Sequence, residues 1–224
     1  MRWRVEYEKG PAIRYLSHLD MVRLWERMLR RSNLPLQLTQ GFNPHFKISL
    51  GTVLPVGLWG KREYLDMKLE DDLKPDDLYC RLEEVTPPGI KVHRVKRLSR
   101  ESPSLMEAVN TSAYRITFPS GLEEQVREGV RRMERAPEIR VTRAKDQREV
   151  NIRPGILRIS CIPADNESIL EFMVVTGNQN AVRFPELVQA LVNFGLDRES
   201  IIDYWREANY IRVNGKLMDP LELN

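Results

Sequence analysis

The residues best suited to chemistry stand between two apolar segments, in QGFNPHFKISLG, residues 40–51. Gly41 can take a positive φ and Pro44 holds Asn43 extended, so the stretch has the makings of a turn. Turn chemistry gives no reason for Gln40, Phe42, His45 and Lys47 to gather there. Together they offer an amide, a stacking face, an imidazole and a cation, the set with which proteins hold single-stranded RNA. The segment is therefore expected to be both a turn and part of a binding site. A different chemistry is open to the same residues. Metal-independent cleavage of RNA needs a base near the attacking 2′-hydroxyl and donors for the developing charge, and His45 with Lys47 could supply both. No acid is fixed near His45 by spacing, so His45 is the catalytic candidate only in that second reading. His18, on the apolar side of a helix start, reads as a packed or capping imidazole, and His93 belongs to a basic strand, KVHRVKR.

A second set of basic residues lies just upstream, in SHLDMVRLWERMLRRS. Ser17 is a natural N-cap, Asp20 favours the positive helix start, and Asn33 with Pro35 suits a stop. Met21, Val22, Leu24, Trp25, Met28 and Leu29 fall on one arc of this helix, and Arg23, Arg27, Arg30 and Arg31 fall on the other. A solvated face is the plain account of such an arc. Yet Glu26, at its edge, is the one balancing glutamate, and guanidinium forks suit phosphate. The expected RNA-binding set is thus Arg23, Arg27, Arg30, Arg31, Gln40, Phe42, Asn43, His45 and Lys47. Arg153, held before Pro154 in VNIRPG, is a further candidate that could equally order its own loop. Arg140, Arg143, Lys145 and Arg148 form the basic cluster of the second half. A third class of function stays open, in which the arginine face docks an acidic protein surface with no nucleic acid.

These residues must be positioned by a scaffold whose pattern is readable. MRWRVEYEK alternates Trp3, Val5 and Tyr7 with charged residues and predicts a half-buried strand. LPLQLT and FKISLG read as strands flanking the loop, REYLDMKL as another, KPDDLYCRLEEV as a second helix, and GIKVHRVKRL as a closing strand. The order recurs: AYRITF, a helix over GLEEQVREGVRRMERA, strands EIRVTR, GILRISCI and SILEFMVV, a helix over FPELVQALVNFG, and NYIRVNG. The expected fold is α+β, two tandem ferredoxin-like (βαββαβ) halves, each an antiparallel sheet with its helices on one face. The expected boundaries are a first domain at 1–98, a linker at 99–111 and a second domain at 112–224.

The bulk properties agree with a globular chain. Of 224 residues, 42% are apolar and 30% charged, and no run approaches the ~18 apolar residues a membrane span needs. MRWRVEYEKG has no apolar core of a signal peptide, so a cytoplasmic location without membrane partners is expected. The net charge is only +3, but residues 1–98 hold 18 Lys and Arg against 13 Asp and Glu, while residues 99–224 hold 17 against 19. The basic surplus belongs to the half with the loop. Cys80 and Cys161 lie far apart in apolar-patterned segments and are expected to be buried, reduced thiols. No metal site or cofactor is expected, since ligand clusters, P-loops, dinucleotide fingerprints, nucleophile elbows and HExxH patterns are all missing from the sequence.

The stretch YLSHLDMVRLWERMLRRSNLPLQLTQGFNPHFKISLGTVLPVG, with PSLMEAVNTSAYRITF and REVNIRPGI, resembles an uncharacterised bacterial family encoded beside, or fused to, a cobalamin-type radical-SAM protein. The resemblance runs over nearly the whole chain and implies a radical-SAM protein as partner. Two positions depart from the family pattern: Phe46 stands where a second proline is expected, and Asn151 where an aspartate is expected. A fainter likeness runs to the RAMP superfamily, which includes the CRISPR repeat-processing endoribonucleases. Those proteins are tandem ferredoxin-like, bind RNA and carry a glycine-rich loop near the C-terminus. Here YIRVNGKLMDP offers one Asn-Gly turn, so the likeness is one of fold, which does not carry function by itself. The expected function is RNA binding that presents RNA to the radical-SAM partner, the alternative being a RAMP-like endoribonuclease using His45.

Overall fold

A computed structural model of the chain describes residues 1–143, 146–164, 167–177 and 179–223. The fold is mixed α and β, with antiparallel strand pairs carrying several helices. It divides into two compact units, residues 1–109 with 208–224, and residues 110–207. Both 99–109, expected as a linker, and 208–224, expected in the second half, lie in the first unit.

The first unit runs β1 (Arg2–Lys9), α1 (His18–Arg31), β2 (Ile48–Leu50), β3 (Trp59–Lys68), α2 (Pro75–Glu83), β4 (Ile90–Arg97) and a short α3 (Leu105–Ala108). β1 lies between β3 and β4, antiparallel to both, and β2 pairs with β3. LPLQLT, expected as a strand, makes only single bridges, Leu36 with Leu69 and Leu38 with Phe46. Pro35 removes one ladder donor there, which limits the pairing.

The odd-numbered face of the sheet carries both helices. Trp3, Val5, Tyr7, Leu65 and Met67 form one core with Met21, Trp25, Met28 and Leu29 of α1 and Leu78 and Leu82 of α2. Burial of each such large side chain contributes about 1.5–3 kcal/mol. Ser17 and Asp20 cap α1 reciprocally. Trp25 and Leu29 are buried while Arg23, Arg27, Arg30 and Arg31 are exposed, as the helical periodicity requires.

The even-numbered face departs from the pattern. Alternation in β1 predicts a solvent face, yet Arg4 and Glu6 are buried, as are Tyr64 and Asp66 of β3. The cover comes from distant segments: Leu105, Val109 and Leu221 pack on Tyr64, and Arg4 donates to the Pro220 carbonyl at 2.8 Å.

The second unit runs β5 (Thr111–Pro119), α4 (Glu123–Arg135), β6 (Arg140–Thr142), β7 (Glu149–Asn151), β8 (Ile156–Ala164), β9 (Glu167–Val175) and α5 (Phe184–Asn193). A tenth strand, β10 (Asp203–Val213), follows, its first residues within this unit and residues 208–213 within the first. The order is β10-β5-β9-β8, while β6 and β7 make a separate ribbon. In the first unit β11 (Lys216–Met218) closes a hairpin on β10, with Asn214 and Gly215 both at positive φ as a two-residue hairpin turn demands.

Cys80 is exposed and Cys161 half-buried, not buried as expected. Leu78 and Leu82 are the buried residues of α2, and Cys80, two positions from each, points to the other side of the helix. Among the described residues no helix is long and apolar enough to cross a membrane.

Candidate nucleic-acid interface

The loop is a projection with a closed neck. Thr39 N–H donates to the His45 carbonyl at 2.8 Å, and His45 N–H donates to Thr39 Oγ1 at 3.0 Å. Residues 40–44 form the tip between them and are all exposed. Gly41 has φ 143°, where a Cβ would be strained. Phe42 is fully exposed at 106%, an unusual place for an aromatic ring that contributes nothing to a core. Gln40 and Asn43, on either side of it in the chain, are exposed as well.

Below the tip, the loop folds back onto α1. His45 Nδ1 stands 3.3 Å from Glu26 Oε1, and the Arg30 guanidinium lies over the Phe46 ring at 5.6 Å from its centroid. The helix face and the loop, read separately in the sequence, therefore form one continuous surface within the first unit. Phe46 also packs on the core, so its ring gives Arg30 a seat and fastens the loop. Glu26 was visible only as the acid at the edge of the arginine arc; its pairing with His45 joins two elements 19 residues apart.

The arginines of this surface differ in their ties. Arg23 stands 3.6 Å from Asp20, and Arg31 donates to the Val85 carbonyl at 3.1 Å. The side chains of Arg27 and Lys47 make no hydrogen bond or ion pair with any described residue, while the Lys47 N–H donates to the Gln37 carbonyl at 2.8 Å. Arg153 is in the second unit. Its guanidinium donates to the carbonyls of Ile156 at 3.1 Å and Glu134 at 3.4 Å, a tie that orders its own turn. Asn151 Oδ1 accepts from Ile139 N–H and Arg153 N–H, both at 3.0 Å. The aspartate that the family resemblance leads one to expect there would present the same acceptor. Lys145 of the second basic cluster lies outside the described residues.

The remaining histidines are accounted for locally. His18 begins α1 and lines a small cavity with Tyr7, Lys9 and Met21. His93 Nε2 stands 3.2 Å from the Lys61 carbonyl and 3.8 Å from Glu8. Among the described residues no group of three or more His, Cys, Asp or Glu side chains could hold a metal ion.

One constellation escaped the sequence reading altogether. On the even-numbered face, the Tyr64 hydroxyl stands 3.1 Å from both Glu6 Oε2 and Asp219 Oδ1, so its single proton serves one carboxylate at a time. Arg94 bonds both carboxylates, and Arg62, 3.9 Å from Asp219, donates to the Tyr210 hydroxyl at 2.8 Å. Burial, then the two carboxylates, push the Tyr64 hydroxyl far above its ordinary range, which keeps it protonated and donating. Beside this cluster Arg4 grips Asp66 with two bonds, at 2.7 and 2.9 Å. Each buried acid meets a guanidinium, and the cluster fastens the segment around Asp219 to the sheet. Its sequence signal was the facing charged positions of β1 and β3; the partner segment, more than 150 residues on, had none.

No curated protein matches the chain. Among solved structures, one titled crystal structure of an unknown protein from Galdieria sulphuraria aligns over 92% of this chain and 96% of its own. The identity is 14% and the TM-score 0.26, a likeness that adds nothing to the fold described above. A family model does match, over residues 2–184, and on that span the chain belongs to DUF2344, described as an uncharacterized protein conserved in bacteria.

Proposed function

We propose that this protein binds single-stranded RNA on the surface made by the exposed face of α1 and the loop 40–47, and presents it to a radical-SAM partner enzyme. The observation that carries the reading is the fold-back of the loop: Arg30 over Phe46 and Glu26 against His45 unite a row of arginines with an exposed ring. Phosphates would be held by Arg23, Arg27, Arg30, Arg31 and Lys47, and a base would stack on Phe42 beside the Gln40 and Asn43 amides. The partner rests on the family resemblance alone. The strand orders β4-β1-β3 with β2, and β10-β5-β9-β8, support reading the two units as ferredoxin-like halves.

The test is RNA binding by the purified protein. Replacing Arg23 and Arg27 with alanine should lower the log–log salt slope by about 0.7 per lost contact on single strands, with the melting temperature unchanged. Phe42→Ala should cost about 1–3 kcal/mol of binding through lost stacking. Wild-type protein with no RNA affinity at low salt would end the proposal.

The Glu26–His45 pair favours a second reading, a metal-independent endoribonuclease. Glu26 would orient the ring through Nδ1, leaving Nε2 to take the proton of a 2′-hydroxyl. The 2′-oxygen would then bond to phosphorus as the bond to the 5′-oxygen breaks, and Lys47 would return a proton to that oxygen. Metal-free cleavage that falls by ~10²–10⁴ in His45→Ala with binding intact would establish this reading over simple recognition.

A further inference from the structure

A second basic feature of the first unit belongs to none of the elements above. An open groove of about 830 Å³ runs along the ends of β1, β3 and β4, where its lining includes Arg2, Gln37, Lys68, Arg97, Ser99 and Arg100. Four of these residues are cationic, and among the described residues no carboxylate lines the groove. Arg97 is tied to the exposed Asp72, and Arg2 to the carbonyls of Ser102 and Pro103, with its Nε buried and unbonded. Lys68 and Arg100 are exposed, and their side chains make no hydrogen bond or ion pair with any described residue. Two uncompensated cations thus face an open channel flanked by two anchored ones.

The groove and the loop share one backbone platform. Gln37 N–H donates to the Lys68 carbonyl at 2.9 Å, Lys47 N–H to the Gln37 carbonyl at 2.8 Å, and Lys68 N–H to the Lys47 carbonyl at 3.1 Å. Gln37 and Lys68 of the groove are therefore knitted directly to Lys47 at the base of the loop. From Gln37 the chain reaches Gln40 at the tip in three residues, about 10 Å at an extended rise. We propose that this groove holds the sugar–phosphate chain of the RNA strand as it leaves the loop. This inference rests on the loop and α1 binding RNA, and it adds a phosphate track that the sequence reading did not assign. The lining suits the backbone rather than a base, because beside the apolar Met1 and Leu98 it offers cations and small polar groups and, among the described residues, no aromatic ring on which a base could stack.

The experiment compares oligouridylates of about four and about twelve nucleotides on wild-type protein, on Lys68→Gln/Arg100→Gln and on Arg23→Ala/Arg27→Ala. Polyglutamate serves as a competing acidic polymer. The groove variant should bind the short oligomer as wild type does. On the long one it should bind more weakly, with a salt slope lower by about 1.4, two contacts at about 0.7 each. Both substituted side chains are exposed and untied, so its melting curve should match wild type. Equal binding of the long oligomer by wild type and groove variant would overturn the groove while leaving the loop reading intact. Loss of affinity for both lengths only in the helix variant would do the same. Wild-type protein that binds neither length would overturn the loop reading and the groove together. Polyglutamate that binds wild-type protein more tightly than the long oligomer does, and loses that affinity in the groove variant, would assign the groove to an acidic protein instead.

Discussion

The arginines of α1 and four arginines of the second unit, Arg131, Arg140, Arg143 and Arg153, resemble each other in the sequence and differ in what holds them. In the second unit Arg131 reaches Glu124 at 3.4 Å and Glu128 at 3.3 Å. Arg140 lies between Glu138 and Glu149, Arg143 grips Glu186 at 2.8 Å, and Arg153 is spent on carbonyls. On α1, among the described residues, Arg27 is untied, Arg30 rests on an aromatic ring, Arg31 donates to the Val85 carbonyl, and only Arg23 has a carboxylate within 4 Å. The residue type is the same. What differs is whether the charge has already been answered within the fold, and an unanswered, exposed guanidinium is the one free to meet a phosphate.

The comparison breaks most visibly where an arginine is wholly committed. Asp66→Ala would strand the buried Arg4 guanidinium, which is worth about 3–5 kcal/mol when one partner of a buried pair is lost. Urea denaturation should show that drop, and a change under about 1 kcal/mol would mean Arg4 finds other compensation. Arg143→Ala should come next, at about 1.5–3 kcal/mol, because Glu186 is left almost fully buried without its partner.

The contrast sharpens where no stability is at stake. Arg27→Ala should weaken RNA binding while Arg140→Ala should not, and neither should move the melting temperature. Equal losses from both would mean that the ion pairs around Arg140 do not withhold it from RNA, and that the two sets of arginines do not differ in this respect.

The smallest expected effect is one of pH. Burial pushes the Asp219 carboxyl up, but the Leu221 N–H, Arg94 and Tyr64 outweigh it and hold the group below 3.8. A carboxyl depressed in the folded state contributes stability above its unfolded value and loses it as pH falls through the folded one. Asp219→Asn should therefore flatten the loss of stability below about pH 4. Thermal melts that keep the wild-type slope there would remove Asp219 from the acid response.

Much is legible in the sequence alone. The 3.6-residue period of residues 18–31 is enough to bury Trp25 and expose Arg27, and Ser17 with Asp20 marks where that helix begins, because capping is a local matter of backbone donors. Gly41, Asn43 and Pro44 announce their turn for the same reason. Tertiary structure alone decided what depends on distant segments. The alternation of β1 reads as one wet face, yet residues around 105 and 220 cover Arg4 and Glu6, and nothing in a two-residue period reports a lid made elsewhere in the chain. Likewise Glu26 and His45 are 19 residues apart, and Phe46 meets Arg30 only once the loop has folded back. Local composition determined which residues could carry chemistry, and long-range packing decided which of them meet and which charges remain unanswered.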